Sequence, residues 1–271
     1  MTVMLHLSDP HFGTEQPPVM QALLRFSRAQ APDVLVLSGD ITQRARVAQF
    51  RAARAFVDAL AVRTVLAIPG NHDIPLFNLA ARLWWPYANH CAAFGADLEP
   101  TFESPRLLVL TVNTTRALRH EDGEVSAAQI ARVAQRLACA GAGQLRIVVT
   151  HQPVSVQRPQ DVRDRLHGAT DAVQAWSRAG ADLILGGHIH LPFVQALHEQ
   201  NDGLARKCWA VQAGTAVSTR VRAEAGNSVN LIRCAEPRDG IRRATIERWD
   251  YAAASGSFER YAVDEVDADA S

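Results

Sequence analysis

The chain has 271 residues, enough for one large α/β domain, and 48% of them are apolar, enough for a sizeable core. Its 28 basic and 28 acidic residues cancel, which excludes a global positive field, and no nucleic-acid polymer is expected as partner. No apolar run approaches a transmembrane span, and the four scattered cysteines (Cys91, Cys139, Cys208, Cys234) suit neither a disulfide framework nor a thiolate metal site.

In chain order, the first expected strand is Val3–Leu7, which runs straight into Asp9-Pro10-His11. No signal peptide is expected, and a reducing cytoplasm is the expected location. Asp9 and His11 are two apart at a strand end and leave on the same side; alone, such a pair better suits a surface. The next strand, Val34–Leu37, precedes Gly39-Asp40, where Asp40 could also cap a helix. Between Arg44 and Leu60, the residues Val47, Phe50, Val57 and Leu60 gather on one side of a helix. The strand Val65–Ile68 then meets Gly70-Asn71-His72-Asp73, an amide, an imidazole and a carboxylate on one tight turn.

Leu83-Trp84-Trp85-Pro86-Tyr87, within 74–100, either walls a pocket or fills the core. After the strand Leu107–Val112 come Asn113 and Arg116, which touch substrate or simply face solvent. A helix at 126–138 is expected with Ser126 as N-cap and Ile130, Val133 and Leu137 inward. The strand Ile147–Val149 ends in Thr150-His151, where a lone histidine could be structural. A helix within Asp171–Arg178, closed by Gly180, leads to Leu183–Leu185 and Gly186-Gly187-His188-Ile189-His190. Four further strands follow: Phe193–Leu197, Lys207–Gln212, Ser228–Cys234 and Ala244–Tyr251. Turns at Asn201-Asp202-Gly203 and Asp239-Gly240 would join them into a second, late sheet. A single domain over 1–262 is expected, with residues 263–271 a frayed acidic tail.

Taken together, the five blocks fit one metal centre. Short runs buried on both faces, alternating with helices, argue for an α/β sheet whose strand ends project ligands to one rim. Imidazole, carboxylate and amide donors without thiolate favour two first-row ions such as Fe, Mn or Zn. Two-metal sites generate a nucleophile at neutral pH and clamp an in-line displacement; one carboxylate must bridge the ions, and Asp40 is the choice.

In order and wording these blocks resemble the calcineurin-like metallophosphoesterase superfamily, over roughly 3–190. The resemblance implies a four-layer α/β/β/α sandwich of two mixed sheets flanked by helices. It implies one metal on Asp9, His11, Asp40 and His190, and another on Asp40, Asn71, His151 and His188. His72 would be catalytic, beside the phosphate, with Asn71 and His190 also facing the substrate; Asp73 either orients His72 or caps the turn. Ser-Asp-x-His-Phe-Gly, Ser-Gly-Asp-Ile-Thr, Pro-Gly-Asn-His-Asp and Gly-His-x-His-Leu-Pro are similar to bacterial class III cyclic nucleotide phosphodiesterases. Gln152 departs from the His-His-Pro of many relatives.

The expected function is therefore a two-metal phosphodiesterase acting through a metal-bridging hydroxide on a small diester, with a 3′,5′-cyclic nucleotide as the leading class. Alternatives are a UDP-diacylglucosamine-type pyrophosphate hydrolase, which would need an exposed apolar ledge near the site, another small-molecule phosphoesterase, or a non-catalytic scaffold. A small-molecule partner is expected, and an oligomer is allowed.

Overall fold

Successive residues of a strand face opposite sides of its sheet, and that alternation sets the layers here. In strand β1 (Thr2–Leu7), Met4 joins one apolar cluster while Val3, Leu5 and Leu7 join another. The computed structural model describes residues 1–119, 121–200, 203–204, 206–236 and 241–268. Helix α1 (Pro17–Gln30) leads to β2 (Val34–Leu37), and α2 (Val47–Ala59) to β3 (Thr64–Ala67). Short helices α3 (Leu79–Trp84) and α4 (Ala88–Phe94) precede β4 (Thr101–Glu103) and β5 (Leu107–Thr111). Alternation continues through α5 (Ala127–Ala138), β6 (Leu145–Val149), α6 (Ala169–Arg178) and β7 (Leu183–Gly186). The remaining strands are β8 (Phe193–Ala196), β9 (Trp209–Gln212), β10 (Ser228–Cys234), β11 (Arg242–Ala252) and β12 (Ser257–Ala268).

Two six-stranded mixed sheets result, ordered β12-β11-β10-β1-β2-β3 and β4-β5-β6-β7-β9-β8. Met4, Val34, Val36 and Ile68 of the first sheet and its flank pack against Val109, Ile147, Val149 and Leu185 of the second. Leu5, Leu35 and Leu37 pack outward on Val19, Leu23, Phe26, Phe50 and Phe56 of α1 and α2. Leu108, Val148 and Ile184 pack outward on Val133, Leu137, Val173 and Trp176 of α5 and α6. The four-layer α/β/β/α sandwich is thus in place.

Ser126 caps α5 as expected: its Oγ accepts from Gln129 N at 3.2 Å and Gln129 Oε1 accepts from Ser126 N at 3.1 Å. The late strands do not build a sheet of their own. β8 and β9 complete the sheet of β4–β7, whereas β10 pairs antiparallel with β1 and carries β11 and β12 with it. Nor is 263–268 a frayed tail, because it continues β12 and pairs with β11. Val266 and Ala268 are buried, while Asp267 turns out to Arg243 at 3.0 Å: the acidic stretch has the period of a half-buried strand. Residues 269–271, His120 and the expected turn residues Asn201, Asp202, Asp239 and Gly240 lie outside the described residues.

The sheets are also tied by charge. Arg242 of β11 makes a bidentate contact with Asp182, at 3.0 and 2.9 Å, both side chains being 1% exposed. Asp182 also accepts from the Arg146 backbone at 2.8 Å, so the pair sits where β6 and β7 begin.

Candidate metal centre

Five blocks far apart in the chain meet because the carboxyl ends of β1, β2, β3, β6 and β7 open onto one rim. Backbone contacts fix their mutual position: Asp9 N donates to Gly39 O at 3.1 Å, and Gly187 N to His151 O at 2.8 Å. A side chain at Gly39 (φ 106°) would strike the His151 ring, and one at Gly187 would strike Ser8 and Asp9, so close approach requires glycine at both. Asp9, His11, Asp40, His188 and His190 all adopt left-handed backbone, with φ between 42° and 71°. That conformation costs an L residue about 1–2 kcal/mol.

The donors fall in three overlapping groups, Asp9 with His11 and His190, His11 with Asp40 and His72, and Asp40 with His151 and His188, so Asp40 stands between the outer two. His190 Nε2 lies 3.2 Å from Asp9 Oδ1 and 3.1 Å from His11 Nε2, which is itself 3.8 Å from Asp40 Oδ2. On the other side, His151 Nε2 is 3.3 Å from Asp40 Oδ1 and 3.2 Å from Asn71 Oδ1, and His188 completes that group. Asp9, His11, Asp40, Asn71 and His151 are buried. Hydrogen bonds select which atoms stay available. Asp9 Oδ2 accepts from Ser8 Oγ at 2.6 Å and His188 N at 2.9 Å, while its Oδ1 is buried without a hydrogen bond. His151 Nδ1 donates to the Ser38 carbonyl at 2.8 Å, which turns Nε2 toward the donors. His188 Nδ1 is likewise buried and unpartnered. Buried donor atoms left bare beside imidazoles and carboxylates fit a pair of cations.

Charge within the site is already polarised. Burial alone would raise the Asp40 carboxyl, but the imidazoles of His151 and then His72 outweigh it and hold it well below the usual range. Burial also opposes ionisation of Asp9, and the charge of the nearby His190 imidazole overcomes it. His151 is the counterpart: burial would lower it, yet Asp40, by charge and hydrogen bond, pushes it up to about 9. Chiefly through burial, His11 is lowered to about 3 and His188 to about 4.

The residues beside the donors now have definite partners. Asp73 accepts from the backbone of Ile41, Thr42 and Gly70 and from Thr42 Oγ1 at 2.8–2.9 Å, so it clamps two blocks together and caps the turn. Burial, then the Asp40 charge, push its carboxyl up to about 7 against the pull of those donors. His72 Nδ1 donates to the Gln43 carbonyl at 3.0 Å, and its ring is 16% exposed. Gln152 faces away from the donors: its Oε1 accepts from Thr114 Oγ1 at 2.6 Å and its Nε2 donates to the Glu121 carbonyl at 3.2 Å. His6, His90, His167 and His198 join none of the donor groups.

A cleft of about 680 Å³ opens over Asp40, Asn71, His72, His188 and His190. Its walls carry Glu121, Gln160, Asp161, Arg163, Asp164, Arg220 and Arg222, which the motif blocks do not contain. Arg220 and Arg222 follow β9, another strand ending in a glycine-containing turn at Gly214. Nothing of ligand type stands in that turn, so the strand-end pattern goes unnoticed in the sequence. Asn113 and Arg116 line a different cavity with Tyr87 and Glu99. Trp84 and Trp85 neither line the metal cleft nor fill the core; they are 67% and 66% exposed. With Phe77, Leu79 and Leu83 they form an apolar ledge just after the His72 turn.

No curated protein matches the chain in sequence. By fold it is similar to a purple acid phosphatase from yellow lupin (Lupinus luteus) seeds, with TM-score 0.67 and 12% identity. That match covers 97% of this chain and 53% of the lupin chain, so the present chain spans about half of it. It is similar over its whole length to a dimetal phosphatase from Danio rerio, with TM-score 0.64, 15% identity and 99% of that chain covered. Wild-type Vps29 complexed with zinc, from Entamoeba histolytica, has TM-score 0.50 and 12% identity, covering 98% of this chain and 99% of that one. The sequence profile of calcineurin-like phosphoesterases matches residues 2–192, which hold every block of the rim, and the chain belongs to that family.

Proposed function

We propose that this protein is a two-metal phosphodiesterase that hydrolyses a small diester, with 3′,5′-cyclic nucleotides as the leading class. The observation that carries the reading is Asp40, with one oxygen turned to each outer donor group beneath an open cleft. One ion would be held by Asp9, His11, Asp40 and His190, and the other by Asp40, Asn71, His151 and His188. Fe, Mn and Zn suit these donors. Two such ions, when bound, lower the pKa of water enough to furnish hydroxide near neutral pH and offset charge at the phosphoryl oxygens. The chain's own residues do the rest. Ser8, the His188 backbone and the Ser38 carbonyl hold Asp9 and His151 in the orientation the ions need. Gln43 grips His72 at Nδ1, so Nε2 is the atom that would take up a proton from water and pass it to the leaving oxygen.

The walls of the cleft balance Glu121, Asp161 and Asp164 against Arg163, Arg220 and Arg222, so their charge favours neither a diester nor a monoester. All four cysteines are free and two are buried, which suits work in a reducing cytoplasm. Among the described residues no helix is long and apolar enough to cross a membrane. The manganese-loaded protein should be assayed on cyclic nucleotides, bis(p-nitrophenyl) phosphate, glycerophosphodiesters and UDP-diacylglucosamine. Turnover of monoesters alone would overturn the diesterase reading.

One observation favours a second reading, cleavage of a lipid-linked nucleotide pyrophosphate. Such a substrate needs exposed apolar surface, and Phe77, Leu79, Leu83, Trp84 and Trp85, which follow His72 closely in the chain, offer it, each more than half exposed. A purely scaffolding role accounts for neither the complete donor set nor His72.

A further inference from the structure

Two arginines of one loop face the cleft, and their surroundings differ. Arg222 is neutralised: its Nη1 lies 2.9 Å from Asp161 Oδ1 and its Nη2 3.7 Å from Glu224 Oε1, and it also donates to the Ile189 carbonyl at 3.1 Å. Arg220 Nη1 instead donates to Gln43 Oε1 at 3.2 Å and meets His72 Nε2 at 3.0 Å. A guanidinium has no acceptor, so the imidazole nitrogen must accept. The proton on Nδ1, held by the Gln43 carbonyl, agrees with that assignment. Among the described residues no carboxylate stands within ion-pair distance of Arg220. Its backbone is pinned on both sides, the carbonyl accepting from Thr215 Oγ1 at 2.6 Å and the N–H donating to Ser218 Oγ at 3.3 Å. A half-buried cation held in place with neutral neighbours is poised for an anion.

We propose that Arg220 is a substrate-binding residue that takes a non-bridging oxygen of the phosphate, exchanging His72 Nε2 for that oxygen. In the resting site Arg220 occupies the nitrogen that His72 needs for the leaving group. A phosphate in the cleft draws the guanidinium away, so that Nε2 can take up a proton from water and pass it to the leaving oxygen. Gln43 organises both partners, gripping His72 through its backbone carbonyl and Arg220 through its side-chain oxygen. The proposal rests on the phosphoesterase reading of the same cleft and adds a residue that the metal blocks do not contain.

Inorganic phosphate is the probe, applied to manganese-loaded protein by calorimetry and as an inhibitor of bis(p-nitrophenyl) phosphate hydrolysis. Arg220→Gln should keep the wild-type metal content by elemental analysis yet weaken phosphate binding about tenfold to a hundredfold, the worth of one charge-assisted hydrogen bond. Its KM should rise in step, and Arg220→Lys should recover part of both. Phosphate affinity within twofold of wild type in Arg220→Gln would overturn the proposal. Should that variant not fold, the wild-type protein decides. Saturating phosphate should slow phenylglyoxal modification of Arg220, located by peptide mass, and leave exposed Arg63 unaffected. Equal modification of Arg220 with and without phosphate overturns the proposal as well. Failure of the underlying reading looks different: the loaded wild-type protein would hydrolyse no phosphoester at all, whatever Arg220 does to phosphate binding.

Discussion

The donors at the strand ends and the apolar ledge on α3 are separated by only a few residues after His72, yet they are built in opposite ways. Asp9, His11, Asp40 and His151 are at most 2% exposed, each held by hydrogen bonds or close charges from neighbouring strands. Phe77, Leu79, Leu83, Trp84 and Trp85 are 53–81% exposed, on a six-residue helix and its approach. The contrast separates a fixed rim of donors from an exposed apolar segment. Burial and second partners leave the donors one arrangement, so the reaction class is set there. The ledge packs against little and is open to whatever carries the phosphate.

Substitutions test that separation, and the largest effect should come from the floor. Asp40→Ala removes the carboxylate that stands between the outer donor groups. Metal content by elemental analysis should fall, with turnover reduced about a thousandfold or more, since metal ions supply several kcal/mol of charge stabilisation. Retention of two ions would break the idea that Asp40 bridges. His72→Ala should keep both ions and lose about 10²–10⁴-fold in kcat, the range of general acid–base catalysis.

A smaller effect concerns pH. His6 and His11 are lowered to about 3 and His90 and His188 to about 4, chiefly by burial, against an ordinary 6.5. Below pH 6.5 the unfolded chain binds protons that the folded chain refuses, so stability falls as pH drops. His151, raised to about 9, acts in the other direction. Its contribution in metal-free protein is full below pH 6.5 and is lost as pH rises through 9. Thermal melts of the metal-free protein should therefore peak near pH 6.5 and drop by several degrees on either side. Loaded ions should remove the alkaline limb, since they take the place of the His151 proton, and should leave an acid limb because His6 and His90 lie outside the donor groups.

The smallest effect should come from the ledge. Trp84→Ser combined with Trp85→Ser should leave cyclic nucleotide or bis(p-nitrophenyl) phosphate turnover within twofold of wild type. Under the lipid-linked reading, the same double variant should raise KM for UDP-diacylglucosamine about tenfold, the worth of roughly 1.4 kcal/mol of apolar contact. Unchanged kinetics on both substrates would leave the ledge without a part in recognition.

The meeting of the blocks was legible in the sequence because strand, glycine and candidate ligand occur together: Val34–Leu37 before Gly39-Asp40 spans the same residues in sequence and structure. The layer architecture followed from buried runs and their resemblance. The walls of the cleft were not legible, since Arg220 and Asp164 become neighbours of the metal rim only once loops from different strands converge. The late sheet was misjudged for a related reason. Four consecutive strands carry no local signal for which older strand each will join. The acidic end of the chain was read by composition, where the period of Val266 and Ala268 held the answer.

One consequence lies in where the donors come from. Asp9, His11, Asp40 and Asn71 follow strands of one sheet, and His151, His188 and His190 follow strands of the other. Ions held by both sets would act as a clasp across the mouth of the sandwich, while Arg242 and Asp182 fasten its far end. Losing the ions would unfasten only the mouth. Amide exchange should then quicken at the ends of β2 and β7 and stay slow around Asp182. The cofactor that performs the chemistry would also keep the two halves of the fold in register.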